Sequence, residues 1–551
     1  MFFLVAALCL QAAADERLPE VTIGQGTVRG LVQKTINGRE FEAFLGIPYA
    51  NPPVGQQRFK AAEPKESWNG VWNATVPPNQ CMQIAYFTNE IEGSEDCLYV
   101  NVYTPQSNSK KALDVLVYIH GGGFQFLTGT AYGPEYILDR DVVYVTFNYR
   151  LGTLGFLSFE DDQLPGNNGL KDQNLALKWV NKNIAAFGGD PKKITISGMS
   201  AGGASVHYHL LSKKSKGLFA KAIMTSGSVS NPWAVSKNVG EKSFRLAAEL
   251  GCLGTKTSKI LECLRERPAE RIVRLSDLSR VEVYNPISPI GPMIEKPSRS
   301  AFIDKQPYDI IRNGEAYDVP IMWSVNSDEG LFPGAKIIAD ESGALDKNWD
   351  TIIPHLLELN FTASSKQQLQ IAHQLREHYL GGKRIRDAPG KFTELLGDRY
   401  FYNGIHEAAK LHAENSKSPV WFYRFSYVSD TRLSDYYKIS DIYKGGACHG
   451  DDCHYVLRAV YAPVEGHPED KKMISTMVDI WLNFMQSSVP SSWKTVKSGL
   501  PDLTFLDIVC SDPKNNVVKT EGRTPGQELW LSFNLPENSG DLIKDNVHTE
   551  L

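Results

Sequence analysis

The sequence predicts an α/β fold, a mostly parallel sheet flanked by helices, and three observations carry that expectation. Short β-branched and aromatic runs recur between longer segments of helical periodicity, glycine- and proline-bearing turns mark the joins, and two of the runs end directly in glycine clusters. Val115-Leu116-Val117-Tyr118-Ile119 and Val142 to Phe147 lack polar alternation, the pattern of strands covered on both faces. Between the second of these and Ile194-Thr195-Ile196, the stretch from Asn174 to Ala186 sets Leu175, Leu177, Trp179, Val180 and Ile184 at roughly helical spacing. It closes in Gly188-Gly189-Asp190-Pro191, a helix stop and turn. Strand, helix, strand in that order implies parallel pairing. Further strands are expected at Pro320 to Val325 and Val420 to Ser426. Glu469 to Met485 gathers Met473, Ile474, Met477, Val478, Ile480, Trp481 and Phe484 on one broad face as a closing helix.

The segment from about 340 to 415 is more polar and helical and reads as an insertion within one domain, 15–551, since no repeat, low-complexity block or long linker divides the chain. With 42% hydrophobic and 22% charged residues, 551 residues can bury a sizeable core, which excludes disorder as the main state. A formal charge of −5 leaves no basic footprint for nucleic acid or an anionic membrane, and the densest basic cluster, Lys213-Lys214-Ser215-Lys216, reads as a solvated loop.

Residues 1–14 carry no charge, run apolar from Phe2 to Leu10 and end in Ala12-Ala13-Ala14, a signal peptide with a mature start at Asp15, although its first residues lack the usual lysine or arginine. That run is too short to span a bilayer, and no later stretch reaches 18 apolar residues, so no transmembrane segment is expected. In the secretory pathway cysteines become candidates for disulfides. Cys81 and Cys97 bracket one short loop and Cys252 and Cys263 another, which leaves Cys448, Cys453 and Cys510, of which at least one should be free or paired between chains. Asn73 and Asn360 head N-glycosylation sequons. His548-Thr549-Glu550-Leu551 is similar to luminal retrieval signals except for its internal threonine, so the expected location is secreted or retained in the endoplasmic reticulum lumen.

The chemistry centres on Thr195-Ile196-Ser197-Gly198-Met199-Ser200-Ala201-Gly202-Gly203, a G-x-S-x-G nucleophile elbow in which small neighbours leave room for a serine on a sharp strand-to-helix turn. A serine hydroxyl is a weak nucleophile, so a histidine must take its proton and a carboxylate must orient that histidine. In hydrolases with such an elbow the order along the chain is nucleophile, acid, base. Glu329 follows a predicted strand and His449 lies between the next strand and the closing helix, both at the carboxyl edge of the sheet. Asp328 competes with Glu329 and His454 with His449. A metal site from His449, Asp451, Asp452, Cys453 and His454 is disfavoured, because an i, i+5 spacing does not put both rings on one helical face; no metal or cofactor is expected. His120-Gly121-Gly122-Gly123-Phe124, directly after the first strand, offers amides for an oxyanion, and the N–H of Ala201 offers another.

These motifs, with Phe44-Leu45-Gly46-Ile47-Pro48-Tyr49-Ala50, Ser94-Glu95-Asp96-Cys97-Leu98-Tyr99-Val100-Asn101-Val102, Asn148-Tyr149-Arg150-Leu151-Gly152 and Asn168-Gly169-Leu170-Lys171-Asp172-Gln173, make a chain that resembles the type-B carboxylesterase and cholinesterase family from about Val21 to the closing helix, insect carboxylesterases above all. The resemblance implies the α/β-hydrolase fold, a triad of Ser200, Glu329 and His449, and an oxyanion hole of Gly122, Gly123 and Ala201. It also implies disulfides Cys81–Cys97 and Cys252–Cys263 without the family's usual third bridge, and structural salt bridges Arg58–Glu95 and Arg150–Asp172. Cholinesterases carry glutamate before the nucleophile and a tryptophan in the first disulfide loop. Here Met199 and a loop without tryptophan argue against a quaternary ammonium site. Juvenile hormone esterases usually carry glutamine where Met199 stands, so that role is disfavoured as well. Phe124, Trp233 and Phe332 are candidates for an apolar acyl and alcohol pocket or for ordinary core. The expectation is a serine carboxylesterase that hydrolyses small, uncharged esters through an acyl-enzyme, in detoxification or in lipid, hormone or odorant ester turnover. The alternatives are a scavenger that acylates and then deacylates slowly, or a non-catalytic binding protein on the same fold.

Overall fold

The computed structural model describes residues 18–86, 88–107, 111–275, 287–360, 362–429, 433–499 and 501–535. The signal-peptide expectation at 1–14 and the tail His548–Leu551 lie outside these. The architecture is an eleven-stranded sheet, numbered here in chain order. β1 (Leu31–Lys34), β2 (Glu40–Pro48) and β3 (Tyr99–Thr104) lead to β4 (Leu113–Ile119), β5 (Val143–Phe147), β6 (Gly189–Met199) and β7 (Lys221–Thr225). β8 (Ile321–Asn326), β9 (Val420–Phe425), β10 (Leu503–Ile508) and β11 (Val517–Glu521) complete it. Their spatial order is β11-β10-β9-β8-β7-β6-β4-β5-β3-β2-β1. The pairs from β10 through to β5 are parallel, and β3, β2, β1 and β11 add antiparallel edges. This is the mostly parallel sheet that the apolar runs foretell, in the α/β-hydrolase fold that the family resemblance implies.

Period-two geometry divides the core. Along β4, Val115, Val117 and Ile119 join one apolar cluster while Leu116 and Tyr118 join the other across the sheet. Helices α1 (Asn168–Asn183) and α2 (Ala201–Leu211) cover the first face through Leu170, Leu177, Val180, Val206 and Tyr208. The closing helix, Pro468–Met485, covers the second through Met473, Met477 and Trp481. Two boundaries differ from the sequence reading. Helix α1 starts six residues before Asn174, and the expected turn at Gly189-Asp190-Pro191 is instead the start of β6. Gly188, at φ 82°, ends the preceding helical turn, and Gly189 pairs at once with Leu113; a register shift before Ile194 then accommodates the proline that cannot donate to the ladder.

The polar segment is helical as expected, with Ala344–Lys347, Trp349–Leu356, Ser365–Leu375, Pro389–Gly397 and Asn403–Asn415, interrupted by π-helical turns at Arg376–Leu380 and Asp398–Tyr402. Leu345, Trp349, Ile353, Leu395 and Phe401 share the apolar cluster of α1 and α2. Cys81–Cys97 and Cys252–Cys263 are disulfides, and Cys448, Cys453 and Cys510 are free thiols. Arg58 binds Glu95 through two hydrogen bonds of 2.5 and 2.6 Å, and Arg150 binds Asp172 through two of 2.7 Å, all four side chains largely buried. Among the described residues no helix is long and apolar enough to cross a membrane.

Candidate active site

Ser200 stands between β6 and α2 with φ 60° and ψ −124°. A non-glycine residue held there costs about 1–3 kcal/mol, and the surroundings must over-determine it. They do so through backbone: the Ser200 amide donates to Thr225 O at 2.9 Å, and its carbonyl accepts from Ala204 N–H at 2.9 Å. The elbow glycines are required by contact. A Cβ on Gly202 would stand 2.0 Å from Ile119 O at the end of β4. Ala201 is the first residue of α2, so its amide has no intrahelical acceptor and lies at the positive end of the helix dipole.

Two loops bring a carboxylate and a histidine together. Glu329 follows β8 and His449 follows β9, and the His449 Nδ1–H donates to Glu329 Oε2 at 2.6 Å with both side chains buried. The other oxygen of Glu329 accepts from Ser226 Oγ at 2.5 Å and from Asn326 N–H at 2.7 Å. Asn326 Nδ2 lies 3.4 Å from the same oxygen, and donates to Ser226 Oγ at 3.1 Å and Asp452 Oδ1 at 3.2 Å. The competing residues point elsewhere. Asp328 accepts from Gly446 N–H and Tyr443 OH, each at 2.9 Å, and burial pushes its carboxyl up to about 6. His454 meets Tyr461 OH at 3.3 Å, and burial lowers it to about 4. The His449 loop also meets the elbow: a Cβ on Gly450 would lie 3.1 Å from Met199 Cε.

Gly122 and Gly123 take φ of 89° and 58° after β4, and no backbone carbonyl among the described residues accepts from their amides. Gln83, in the Cys81–Cys97 loop, clamps this segment by accepting from Leu127 N–H at 2.7 Å and donating to Leu127 O at 3.0 Å. His120 stacks on Tyr149 at 4.4 Å, and burial lowers it to about 4, so it stands neutral beside the glycines. The expected aromatic residues divide in role. Phe124 is fully buried against Phe156 and Trp233, Trp233 donates its indole N–H to Tyr400 O at 2.8 Å, and Phe332 tilts over His449 at 5.2 Å. Phe401, from the helical insertion, lies nearer to His449, at 4.4 Å. Sequence reasoning missed Gln83, Ser226, Asn326, Phe401 and Tyr402, none of which lies in a recognisable motif. Asn73 is exposed, whereas Asn360 is half-buried and hydrogen-bonded to His355.

A family model described as "Carboxylesterase family" matches residues 17–520. The chain belongs to the carboxylesterase family. Esterase FE4 of Myzus persicae is 42% identical over 512 residues, 90% of each chain, and venom carboxylesterase-6 of Apis mellifera is 38% identical over 536 residues, 95% of this chain and 96% of the relative. The solved structure of juvenile hormone esterase from Manduca sexta, with OTFP covalently attached, superposes with a TM-score of 0.81 at 29% identity, covering 94% of this chain and 99% of that one. Carboxylesterase membership across nearly the whole chain supports ester hydrolysis on small ester substrates.

Proposed function

We propose that this chain hydrolyses small, uncharged carboxylic esters through an acyl-enzyme on Ser200, with His449 as general base and acid and Glu329 as its orienting carboxylate. The observation that carries the reading is the 2.6 Å Nδ1–H to Glu329 contact, made by loops that leave the same carboxyl edge of the parallel sheet as the strained elbow. That contact fixes the tautomer, leaving Nε2 free of its proton to accept one from Ser200 Oγ. As Oγ attacks the ester carbonyl, the oxyanion forms against the amides of Gly122, Gly123 and Ala201. The imidazolium, steadied by Glu329, then gives its proton to the departing alcohol. Water repeats the sequence to release the acid. Met199 places an apolar side chain where a cation site would need charge, and Phe332 and Phe401 supply apolar walls beside His449. The missing charge at Met199 favours neutral esters over choline esters, while the phenylalanine walls suit an apolar group without deciding between the two. The solved structure named as a juvenile hormone esterase brings that ester within the panel to be tested, while Met199 argues for other esters.

Ser200→Ala should lower turnover of p-nitrophenyl esters by about 10⁴-fold or more and abolish labelling by a fluorophosphonate, with an unchanged melting temperature. Retained, labelled turnover sinks the assignment. We further place the chain in the secretory pathway as one domain from residue 15, with Asn73 the better placed of the two glycan acceptors because it is exposed. A glycosidase shift that survives Asn73→Gln but not Asn360→Gln would reverse that preference.

A further inference from the structure

The turn from Asn326 to Glu329 delivers the carboxylate that meets His449, yet no direct bond from Glu329 N–H to Asn326 O closes it. Instead, the hydroxyl of Tyr402 occupies that place, donating to Asn326 O at 2.8 Å and accepting from Glu329 N–H at 3.3 Å. A side chain 73 residues downstream thereby makes the bond that an i to i+3 turn ordinarily makes for itself. The same turn is tied across its interior, because Asn326 N–H donates to Glu329 Oε1. Backbone and carboxylate are therefore parts of one closed unit, and moving one end moves the other.

Tyr402 ends the π-helical turn Asp398–Tyr402, and its neighbours serve the same site. Tyr400 O takes the Trp233 indole N–H, Phe401 O accepts from Asn231 Nδ2 at 3.0 Å, and the Phe401 ring stands 4.4 Å from His449. The widened turn of a π-helix lets consecutive residues face one region, and such turns are concentrated at functional sites. Gly397 gives the Tyr402 ring its room, since a Cβ there would lie 2.9 Å from Tyr402 Cε2.

From this geometry, and resting on the triad reading above, we propose that Tyr402 is a positioning residue: its hydroxyl fixes the Glu329 turn and, through Glu329, the orientation of His449. The hydroxyl stays protonated, because burial and the adjacent Glu329 carboxylate both push its pKa well up, so it serves as donor and acceptor together.

Tyr402→Phe keeps the ring and removes both bonds. On p-nitrophenyl butyrate its kcat should fall about tenfold with KM within about twofold, since a misplaced reacting group costs rate more than ground-state binding. The melting temperature should hold. In a Glu329→Gln background the same substitution should cost less than about twofold, because its effect passes through Glu329. Gly397→Ala, which crowds the ring without removing the hydroxyl, should show a smaller loss with the same dependence on Glu329, and it serves if Tyr402→Phe does not fold. An unchanged kcat in either folded variant, an equal loss in both backgrounds, or a rise in KM alongside a lowered melting temperature would overturn the proposal. Turnover that still requires Ser200 while Tyr402→Phe is silent would leave the triad reading intact and remove only this one.

Discussion

The two sides of the candidate site are built from different materials. The elbow side is backbone against backbone: Ser200 is held by Thr225 O and Ala204 N–H, and Gly202 and Gly227 press their Cα atoms onto neighbouring carbonyls. The proposed acid–base side is side chain on side chain. Glu329 takes donors from Ser226, Asn326 and His449, its turn is closed by Tyr402, and His449 lies between Phe332 and Phe401. A backbone-packed wall admits no added atom, whereas a hydrogen-bonded shell loses its function by degrees. That contrast predicts how substitutions on each side should behave.

Outside the proposed triad itself, the largest effect belongs to Gly227→Ala. A Cβ there would lie 2.0 Å from Ser200 O and 2.8 Å from Ser200 C, with rigid backbone on both sides, so the elbow must move. Activity should fall about 100-fold or more, as a displacement near 1 Å at a reacting group can cost. A folded Gly227→Ala protein within tenfold of wild type, by kcat/KM on p-nitrophenyl butyrate, would break the contrast. Ser226→Ala should be milder. It removes one of the donors to Glu329 Oε1 and leaves Asn326 N–H in place. We expect kcat to fall about tenfold, the lower end of the worth of one hydrogen bond to a charged group, with KM little changed. A loss as large as that of Gly227→Ala would show that the shell is as brittle as the elbow.

The same contrast decides what the sequence could disclose. Backbone packing forces glycine at fixed offsets from Ser200, so Gly198, Gly202 and Gly121 to Gly123 leave a local signature, and the apolar runs of β4, β5 and β6 announce the sheet that carries them. Glu329 and His449 could be shortlisted because each follows a strand at the same sheet edge. Asp328 and His454 compete with them on residue chemistry alone; the family resemblance prefers Glu329 and His449, and the hydrogen bonds of Asp328 to Tyr443 and of His454 to Tyr461 point the competitors elsewhere. Ser226, Asn326 and Tyr402 left no trace at all: a serine, an asparagine and a tyrosine 76 residues beyond that asparagine acquire meaning only when the insertion folds back over the sheet. The boundary errors have the same origin, since Gly189 reads as a turn until Leu113 pairs with it.

One buried pair joins the two sides and should act on stability alone. His207, on the helix behind Ser200, and His412, on the last helix of the insertion, face each other with Nε2 atoms 2.9 Å apart. Val229 N–H donates to His207 Nδ1 at 3.3 Å, so the His207 proton sits on Nε2 and points to an unprotonated His412 Nε2. Burial lowers His412 to about 4, and burial together with the facing ring holds His207 well below the usual imidazole range. Both folded values lie under the unfolded value of about 6.5. The unfolded chain therefore binds more protons below that pH, and stability present in full above it is lost as pH falls towards 4. Each histidine contributes up to about 1.4 kcal/mol per pH unit in that window. Asp328, raised to about 6, and Asp398 and Asp451, raised to about 7, act in the opposite direction as pH falls, so the net wild-type slope is a difference. His412→Gln isolates one term. Its urea-derived stability between pH 6 and pH 4.5 should fall less steeply than wild type, by up to about 1.4 kcal/mol per pH unit. Its kcat at pH 7.5 should remain within about twofold, because the pair touches neither Glu329 nor Gly122 and Gly123. Parallel slopes would show that the pair does not stay neutral in the folded protein. A large loss of kcat would show instead that the insertion steers the elbow as well as the acid–base side.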